Sequence, residues 1–116
     1  MRGYSIIKKR ADFLAANRGK RYATPGFVLL VSDRRDADPA IRLGITITKK
    51  VGNAVTSNRA KRRLRALARN VMPLLGQAGW DYVLVGRPGA TVERDFAAMR
   101  ADLARALSQV HAQTDG

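Results

Sequence analysis

The sequence predicts an α+β fold in which helices pack on one sheet as a two-layer sandwich. The chain has 116 residues, the size of one domain, and 46% of them are hydrophobic, enough to supply one core. Strand-type and helix-type patterns follow one another in the order helix, strand, strand, helix, strand, helix. We therefore expect residues 1–116 to form a single domain, with a frayed tail over residues 113–116.

The first third of the chain predicts a helix and then a strand. Arg10 to Arg18 can form a short helix that Gly19 stops. Pro25 and Gly26 break the chain before Phe27 to Val31, which is rich in strand-forming residues. Its nearly continuous apolar run indicates burial on both faces, or one buried and one functional face.

The second strand is predicted by the alternation of apolar and polar residues from Ile41 to Thr48. A solvated loop from Ser32 to Pro39 separates it from the first strand, so we expect the two strands to pair as an antiparallel hairpin. The residues expected to face the core are Ile41, Leu43, Ile45 and Ile47.

A long amphipathic helix follows, with Asn53 or Ser57 as its cap and Pro73 as its stop. Its apolar residues fall within one arc of roughly 100°. They are Ala60, Leu64, Leu67, Ala68 and Val71. The opposite face carries Asn58, Arg62, Arg65 and Arg69, with Arg59 at its edge and with Lys61 and Arg63 beside the apolar stripe.

The last two elements are a strand and a helix. Trp80 to Gly86 forms the third strand, and Trp80 and Tyr82 share its core-facing side. Thr91 is a good N-cap for the final helix. The apolar stripe of that helix consists of Val92, Phe96, Met99, Leu103, Leu107 and Val110. The long helix before the third strand therefore forms a β-α-β crossover.

The charge of the chain points to a polyanionic partner. The net charge is +13, and the segment between Pro39 and Trp80 holds nine basic residues and no acidic one, with six of the nine in residues 58–69. A solvated helix face usually mixes both signs, so an uncompensated cationic face favours nucleic acid as the ligand. The excess of Arg suits forked contacts to phosphate. A membrane surface is the alternative, although the apolar stripe lacks Trp and Phe.

The sequence gives little support for disulfides, metal sites or catalysis by this chain. The absence of cysteine excludes disulfides and thiolate metal sites, and without a membrane-spanning or signal-like run we expect a cytoplasmic protein. Asp33, Asp36 and Asp38 could hold a metal or simply solubilise a turn, and His111 is the single histidine. Because no nucleophile is paired with a base, we assign no catalytic residue and no metal ligand.

Aromatic and small residues near the cations allow two interpretations. Phe13, Tyr22 and Phe27 lie among basic residues, where aromatic rings can stack on unpaired bases, but Phe27 could equally belong to the core. Asn58 could bond to a nucleic acid or be solvated, and Gly52 could admit a close backbone or only form a turn.

The residues from Arg42 to Arg65 read RLGITITKKVGNAVTSNRAKRRLR. This stretch closely resembles the bacterial ribonuclease P protein family, in which an R-x-G-x-x-V-S-K-K-V-G-x-A-V strand and turn precedes a helix that opens R-N-R-x-x-R-R-x-x-R. Lys9 to Phe13 is similar to the family's early helix and Asp81 to Val83 to its third strand, so the resemblance extends from about Ile7 to Leu107.

The resemblance implies a sheet of about four strands, three helices and a left-handed β-α-β crossover. The fourth strand would lie near Lys20 to Thr24, or would come from a different division of residues 27–48.

The implied function is the removal of the 5′ leader from precursor tRNA, as the protein subunit of an endonuclease whose catalytic RNA binds Mg²⁺. The residues that would contact this RNA are Lys49, Lys50, Asn58, Arg59, Lys61, Arg62, Arg65 and Arg69. Phe13 and the outward face of the first strand, with Phe27, would line a cleft for the single-stranded leader.

Two departures from the family pattern bear on the site. Ser57 stands where the family has the first Arg of R-N-R, and Arg63 would partly compensate. Asn17 and Leu30 stand near positions where the family often has further aromatic residues. A non-enzymatic RNA-binding protein, such as a ribosomal protein, is the alternative function.

Overall fold

The computed structural model describes residues 4–47, 54–87 and 89–114. The elements are β1 (Ser5–Ile6), α1 (Arg10–Asn17), β2 (Lys20–Ala23), β3 (Phe27–Asp33), β4 (Arg42–Ile47), α2 (Ala54–Leu75), β5 (Trp80–Gly86), α3 (Ala90–Glu93) and α4 (Phe96–Thr114). In the described part of the chain, no helix is long and apolar enough to cross a bilayer.

The five described strands form one sheet in the order β1-β4-β5-β3-β2. β4 is parallel to β1 and to β5, whereas β3 is antiparallel to β5 and to β2. Of the two placements left open for the fourth strand, the structure has the one near Lys20 to Thr24, which is β2. α2 joins the adjacent parallel strands β4 and β5. The fifth strand, β1, has only two residues, too few for a periodic pattern to reveal it.

The predicted hairpin between β3 and β4 is wrong, because β5 lies between them. β5 has four consecutive buried residues, from Asp81 to Leu84, as expected for a strand covered on both faces. Apolar alternation identifies which side chains face the core but carries no information about the neighbouring strand, so the hairpin rested on sequence order alone.

The main core lies between one face of the sheet and the helices α2 and α4. Every residue of the predicted α2 stripe is buried, from Ala60 to Val71. Of the predicted stripe of the final helix, Met99, Leu103, Leu107 and Val110 are also buried. In β4, Leu43 is buried and its alternate neighbours are partly buried against the same core, so the predicted inward face is confirmed.

α1 covers the opposite face of the sheet. A smaller cluster there contains Ile7, Ala16 and Val83, with Phe13 and Leu30 packed against it. Val83 follows Tyr82 and precedes Leu84, both of which belong to the main core, so it must point to the other side of β5. The sheet therefore has helices on both faces.

Two predicted helix ends of α2 differ in the structure. α2 runs through Pro73 to Leu75, and the Gly76 N–H donates to the Met72 carbonyl at 2.9 Å. Because Pro73 lies in the last turn, it removes one hydrogen bond without forcing the helix to stop. Ser57 lies inside α2 and is not its cap, whereas Asn53 lies outside the described residues.

The predicted cap of the final helix is also wrong. Thr91 lies in the short α3, where its buried hydroxyl donates to the Gly26 carbonyl at 2.5 Å and accepts the Arg87 N–H at 2.7 Å. Asp95 takes the capping position of α4, since its carboxylate accepts the Ala98 N–H at 3.1 Å.

His111 lies in a buried polar contact near the end of α4. The Tyr82 hydroxyl lies 2.8 Å from its Nε2 atom and accepts the Gln77 N–H at 2.9 Å. Burial raises the pKa of Tyr82 to about 12, against the opposing effect of the Gln77 N–H. Trp80 packs edge-on against the imidazole at 4.9 Å, which closes the cluster. α4 runs on to Thr114, and residues 115–116 of the predicted frayed tail lie outside the described residues.

The Tyr82→Phe substitution should lower the free energy of unfolding by about 1–3 kcal/mol, because it leaves the buried Nε2 atom of His111 and the Gln77 N–H without this partner. Urea denaturation followed by circular dichroism would measure the loss. Tyr4→Phe is the matched control, since the Tyr4 hydroxyl makes no hydrogen bond to a described residue. Equal effects of the two substitutions would contradict a stabilising role for the Tyr82 hydroxyl.

Candidate nucleic-acid interface

The outward face of α2 is cationic and exposed. It carries Asn58, Arg59, Arg62, Arg65 and Arg69, all exposed to solvent, while Lys61 is half-buried at the margin. None of its four arginines forms an ion pair with a described residue. Guanidinium groups without internal partners remain available for an external anion.

The buried carboxylates of the described residues are bound to arginines that lie outside α2. Asp81 binds Arg34 and Arg42, and Asp102 binds Arg94 and Arg105. The α2 face consequently keeps its full positive charge, because the acids neutralise cations on other elements.

The three aspartates of the loop after β3 stabilise a turn. The carboxylates of Asp33 and Asp38 accept the N–H groups of Arg35 and Ala40, and Asp36 accepts the Nε–H of Arg34. The described residues contain no group of three or more His, Cys, Asp or Glu that could hold a metal ion. Of the two interpretations left open for these aspartates, the geometry supports the turn.

Arg63 differs from the other cations of α2. Its guanidinium donates to the carbonyls of Thr91 and Arg94 and lies over the Phe96 ring, 5.7 Å from the ring centroid. Arg63 therefore fixes α2 to the segment around α3. Because Nε and Nη2 of Arg63 already donate to the protein, the geometry gives no support to the prediction that Arg63 compensates for the missing arginine at Ser57.

A cleft of about 390 Å³ opens between α1 and α2 at the edge of the sheet. β1 leads into α1 on one face, whereas the neighbouring parallel strand β4 leads into α2 on the other. Open sheets form ligand crevices at such points, because the two diverging helices leave a gap at the carboxyl ends of the strands. The lining residues are Tyr4, Ile6, Ile7, Phe13, Leu43, Gly44, Ile45, Arg65 and Arg69.

Gly44 determines how closely α1 approaches the sheet. A Cβ atom at this position would lie 2.8 Å from the Phe13 ring, closer than side-chain contacts allow. The absence of a side chain lets the ring rest on β4, and Ile7 lies beside the same point. Phe13 is half-buried there and forms an apolar wall, while Arg65 and Arg69 form a cationic wall.

The sequence matches known proteins along nearly the whole chain. The family model described as Ribonuclease P matches residues 1–111. The chain belongs to the ribonuclease P protein family. A ribonuclease P protein component of Ruegeria pomeroyi is 52% identical over 112 residues, which cover 95% of this chain and 89% of the relative. One of Caulobacter vibrioides is 41% identical over 112 residues, covering 97% and 74%.

Solved structures of the family share the fold. The RNase P protein of Staphylococcus aureus aligns with a TM-score of 0.70 at 29% identity and covers 90% of this chain and 94% of its own. That of Thermotoga maritima gives 0.68 at 30% identity, with coverages of 86% and 91%. The chain is thus a protein component of the ribonucleoprotein endonuclease that processes the 5′ end of tRNA, and the ribosomal-protein alternative is not favoured.

The structure places the family-implied residues in three groups. Asn58, Arg59, Arg62, Arg65 and Arg69 lie on one exposed face, and Lys61 lies at its margin. Lys49 and Lys50, like Gly52, lie outside the described residues. Phe27 is fully buried in the main core, which corrects its assignment to the leader cleft, because its side chain points away from α1.

The sequence also missed part of the cleft. Tyr4, Ile6 and Ile7 line it, and the only signal for them is an apolar pair of isoleucines just before the basic residues 8–10. The contribution of β1 became visible only through its pairing with β4. Asn17 is exposed and Leu30 packs under α1, so neither supplies an aromatic wall.

The double substitution Arg62→Ala with Arg65→Ala should weaken binding to a bacterial ribonuclease P RNA transcript and leave the fold intact. Each lost phosphate contact should flatten the log–log salt dependence by about one unit. Filter binding over a salt series measures the slope.

The matched control is Arg35→Ala with Arg100→Ala, which removes two exposed arginines from other elements. An equal flattening in the control would show that total charge, and not the α2 face, determines binding.

Proposed function

We propose that the two surfaces have different RNA ligands within ribonuclease P. The α2 face binds the catalytic RNA, and the cleft between α1 and α2 receives the single-stranded 5′ leader of precursor tRNA. Arg65 and Arg69 belong to that face and also line the cleft, so they lie where the two ligands would meet. The observation that carries this proposal is that Phe13 and the pair Arg65 and Arg69, far apart in the sequence, line the same cleft.

The chemistry of the cleft suits a single strand better than a duplex. Unpaired bases expose flat apolar surfaces that can stack on Phe13 or pack on Ile7, and their phosphates can accept forked hydrogen bonds from Arg65 and Arg69. In a duplex the bases are stacked on each other, and RNA recognition of this kind requires unstacked bases. A volume of about 390 Å³ admits only a short segment of the strand.

The protein contributes binding and charge, and the RNA contributes the chemistry. We propose that Mg²⁺ is held mainly by the catalytic RNA and the substrate, since the described carboxylates of Asp12, Asp81 and Asp102 are bound to arginines. Cations on α2 lower the repulsion between two polyanions, so less Mg²⁺ is needed for their association. We expect the protein to act in the cytoplasm, together with the catalytic RNA and the precursor tRNA.

The reconstituted enzyme tests the function directly. Adding the protein to a bacterial ribonuclease P RNA should restore cleavage of a precursor tRNA at a low Mg²⁺ concentration that the RNA alone cannot use. The release of the 5′ leader on a denaturing gel measures this gain. Cleavage by the protein without the RNA, or no gain at any Mg²⁺ concentration, would reject the proposal.

Phe13→Ala should reduce the affinity of the reconstituted enzyme for a precursor tRNA more than for the same tRNA without its leader. The loss of a stacking surface is worth about 1–3 kcal/mol per base. Leu14→Ala is the control, because Leu14 is the exposed neighbour of Phe13 on α1. Equal losses for both RNAs would remove Phe13 from the leader site.

A further inference from the structure

Asp81, on β5, is the buried centre of an ion network that extends to β4 and α1. Its side chain is 3% exposed, and it lies 2.7 Å from Nη1 of Arg34, whose side chain is 6% exposed. Arg34 also donates to the carbonyls of Trp80, Asp38 and Ala40, so the loop after β3 holds this arginine in place. A carboxylate that is fixed in this way can hold a second arginine in one orientation.

Arg42 is that second arginine. Its Nε and Nη2 atoms each donate to Asp81 at 2.8 Å, a forked arrangement that sets the plane of the guanidinium. The remaining nitrogen, Nη1, is thereby directed at α1 and donates to Asp12 at 3.2 Å. The hydrogen bond to Asp81 raises the pKa of Arg42 above its ordinary value, although burial acts in the opposite direction, so the group stays cationic.

The contact between Arg42 and Asp12 lies next to the contact between Gly44 and Phe13 that shapes the cleft. Asp12 and Phe13 are consecutive on α1, and their partners Arg42 and Gly44 are consecutive outward positions on β4. An ionic contact and a steric contact thus join the same turn of the helix to the same part of the strand, which limits both rotation and sliding of α1.

The other end of α1 is held differently. A Cβ atom at Gly19 would lie 1.8 Å from the Val31 carbonyl oxygen, so the chain there is pressed against β3. The ion pair of Asp12 is the polar contact that fixes the opposite end, beside Phe13. If this pair is lost, α1 can pivot about its Gly19 end and carry Phe13 away from β4.

We propose that Asp12 and Arg42 are positioning residues for the leader cleft, and that their ion pair holds α1 where the Phe13 ring can receive a base. This inference rests on the proposed function of the cleft. It assigns a negative residue to RNA binding in a chain whose net charge is +13.

The sign of the effect separates this role from simple electrostatics. Asp12→Asn removes a negative charge beside the cleft, which by itself should strengthen RNA binding. A positioning role predicts the reverse: affinity for a precursor tRNA should fall about 3- to 10-fold in the reconstituted enzyme, as for the loss of one hydrogen bond of ordinary net strength. Binding of the catalytic RNA through α2 should not change.

Arg42→Lys provides an independent variant. It keeps the positive charge and leaves Asp12 in the first turn of α1, but a lysine cannot bind Asp81 with a fork and still reach Asp12. It should show a loss at least as large, and the double variant should lose no more than Arg42→Lys alone, because that substitution already breaks the contact to Asp12. Glu93→Gln is the charge control, since Glu93 is exposed and forms no ion pair with a described residue.

The experiment compares the affinity for a precursor tRNA and for the same tRNA without its leader, using bacterial ribonuclease P RNA and each variant. A loss confined to the leader-bearing RNA in Asp12→Asn and Arg42→Lys, and absent in Glu93→Gln, supports the inference. Unchanged or tighter binding by Asp12→Asn, or equal losses for both RNAs, overturns it. If the unmodified protein gives no preference for the leader, the proposed function fails and the inference fails with it.

Discussion

The scarcity of carboxylates is the constraint on which this structure depends. Nine acidic residues accompany 22 basic ones, so most cations cannot find an internal partner. Asp81 binds Arg34 of the loop after β3 and Arg42 of β4, and Asp102 binds Arg94, just before α4, and Arg105 of α4. No described acid pairs with α2, and its exposed arginines therefore form a positive field that an external polyanion can neutralise.

The charged helix α2 forms one wall of a cleft because the parallel strands β1 and β4 lead into different helices. β1 and β4 run side by side but continue into helices on opposite faces of the sheet, and the gap between those helices is the cleft. The same geometry brings a phenylalanine from α1 to within reach of arginines from α2. Charge alone would bind RNA without preference, whereas an apolar wall opposite a cationic one favours an unpaired strand.

The corrections share a physical cause. The predicted β3–β4 hairpin and the assignment of Phe27 to the cleft both failed because a distant part of the chain packs there. β5 lies between β3 and β4, and Phe27 packs into the main core beneath α4 and α2. In the same way, carbonyls near α3 accept hydrogen bonds from Arg63. The type and spacing of a residue indicate which contacts it can make, but its neighbours in space determine which contacts it does make.

The amino-acid sequence by itself determined the α2 stripe, the inward face of β4 and the cationic face, because periodicity and charge are properties of residue spacing. The ordered signature from Arg42 to Arg65 also sufficed to indicate the family. Only the tertiary structure decided the order of the strands, the cleft and the bridge from Asp12 through Arg42 to Asp81. These depend on contacts between residues far apart in the chain, whose geometry is set by the packing of the whole sheet.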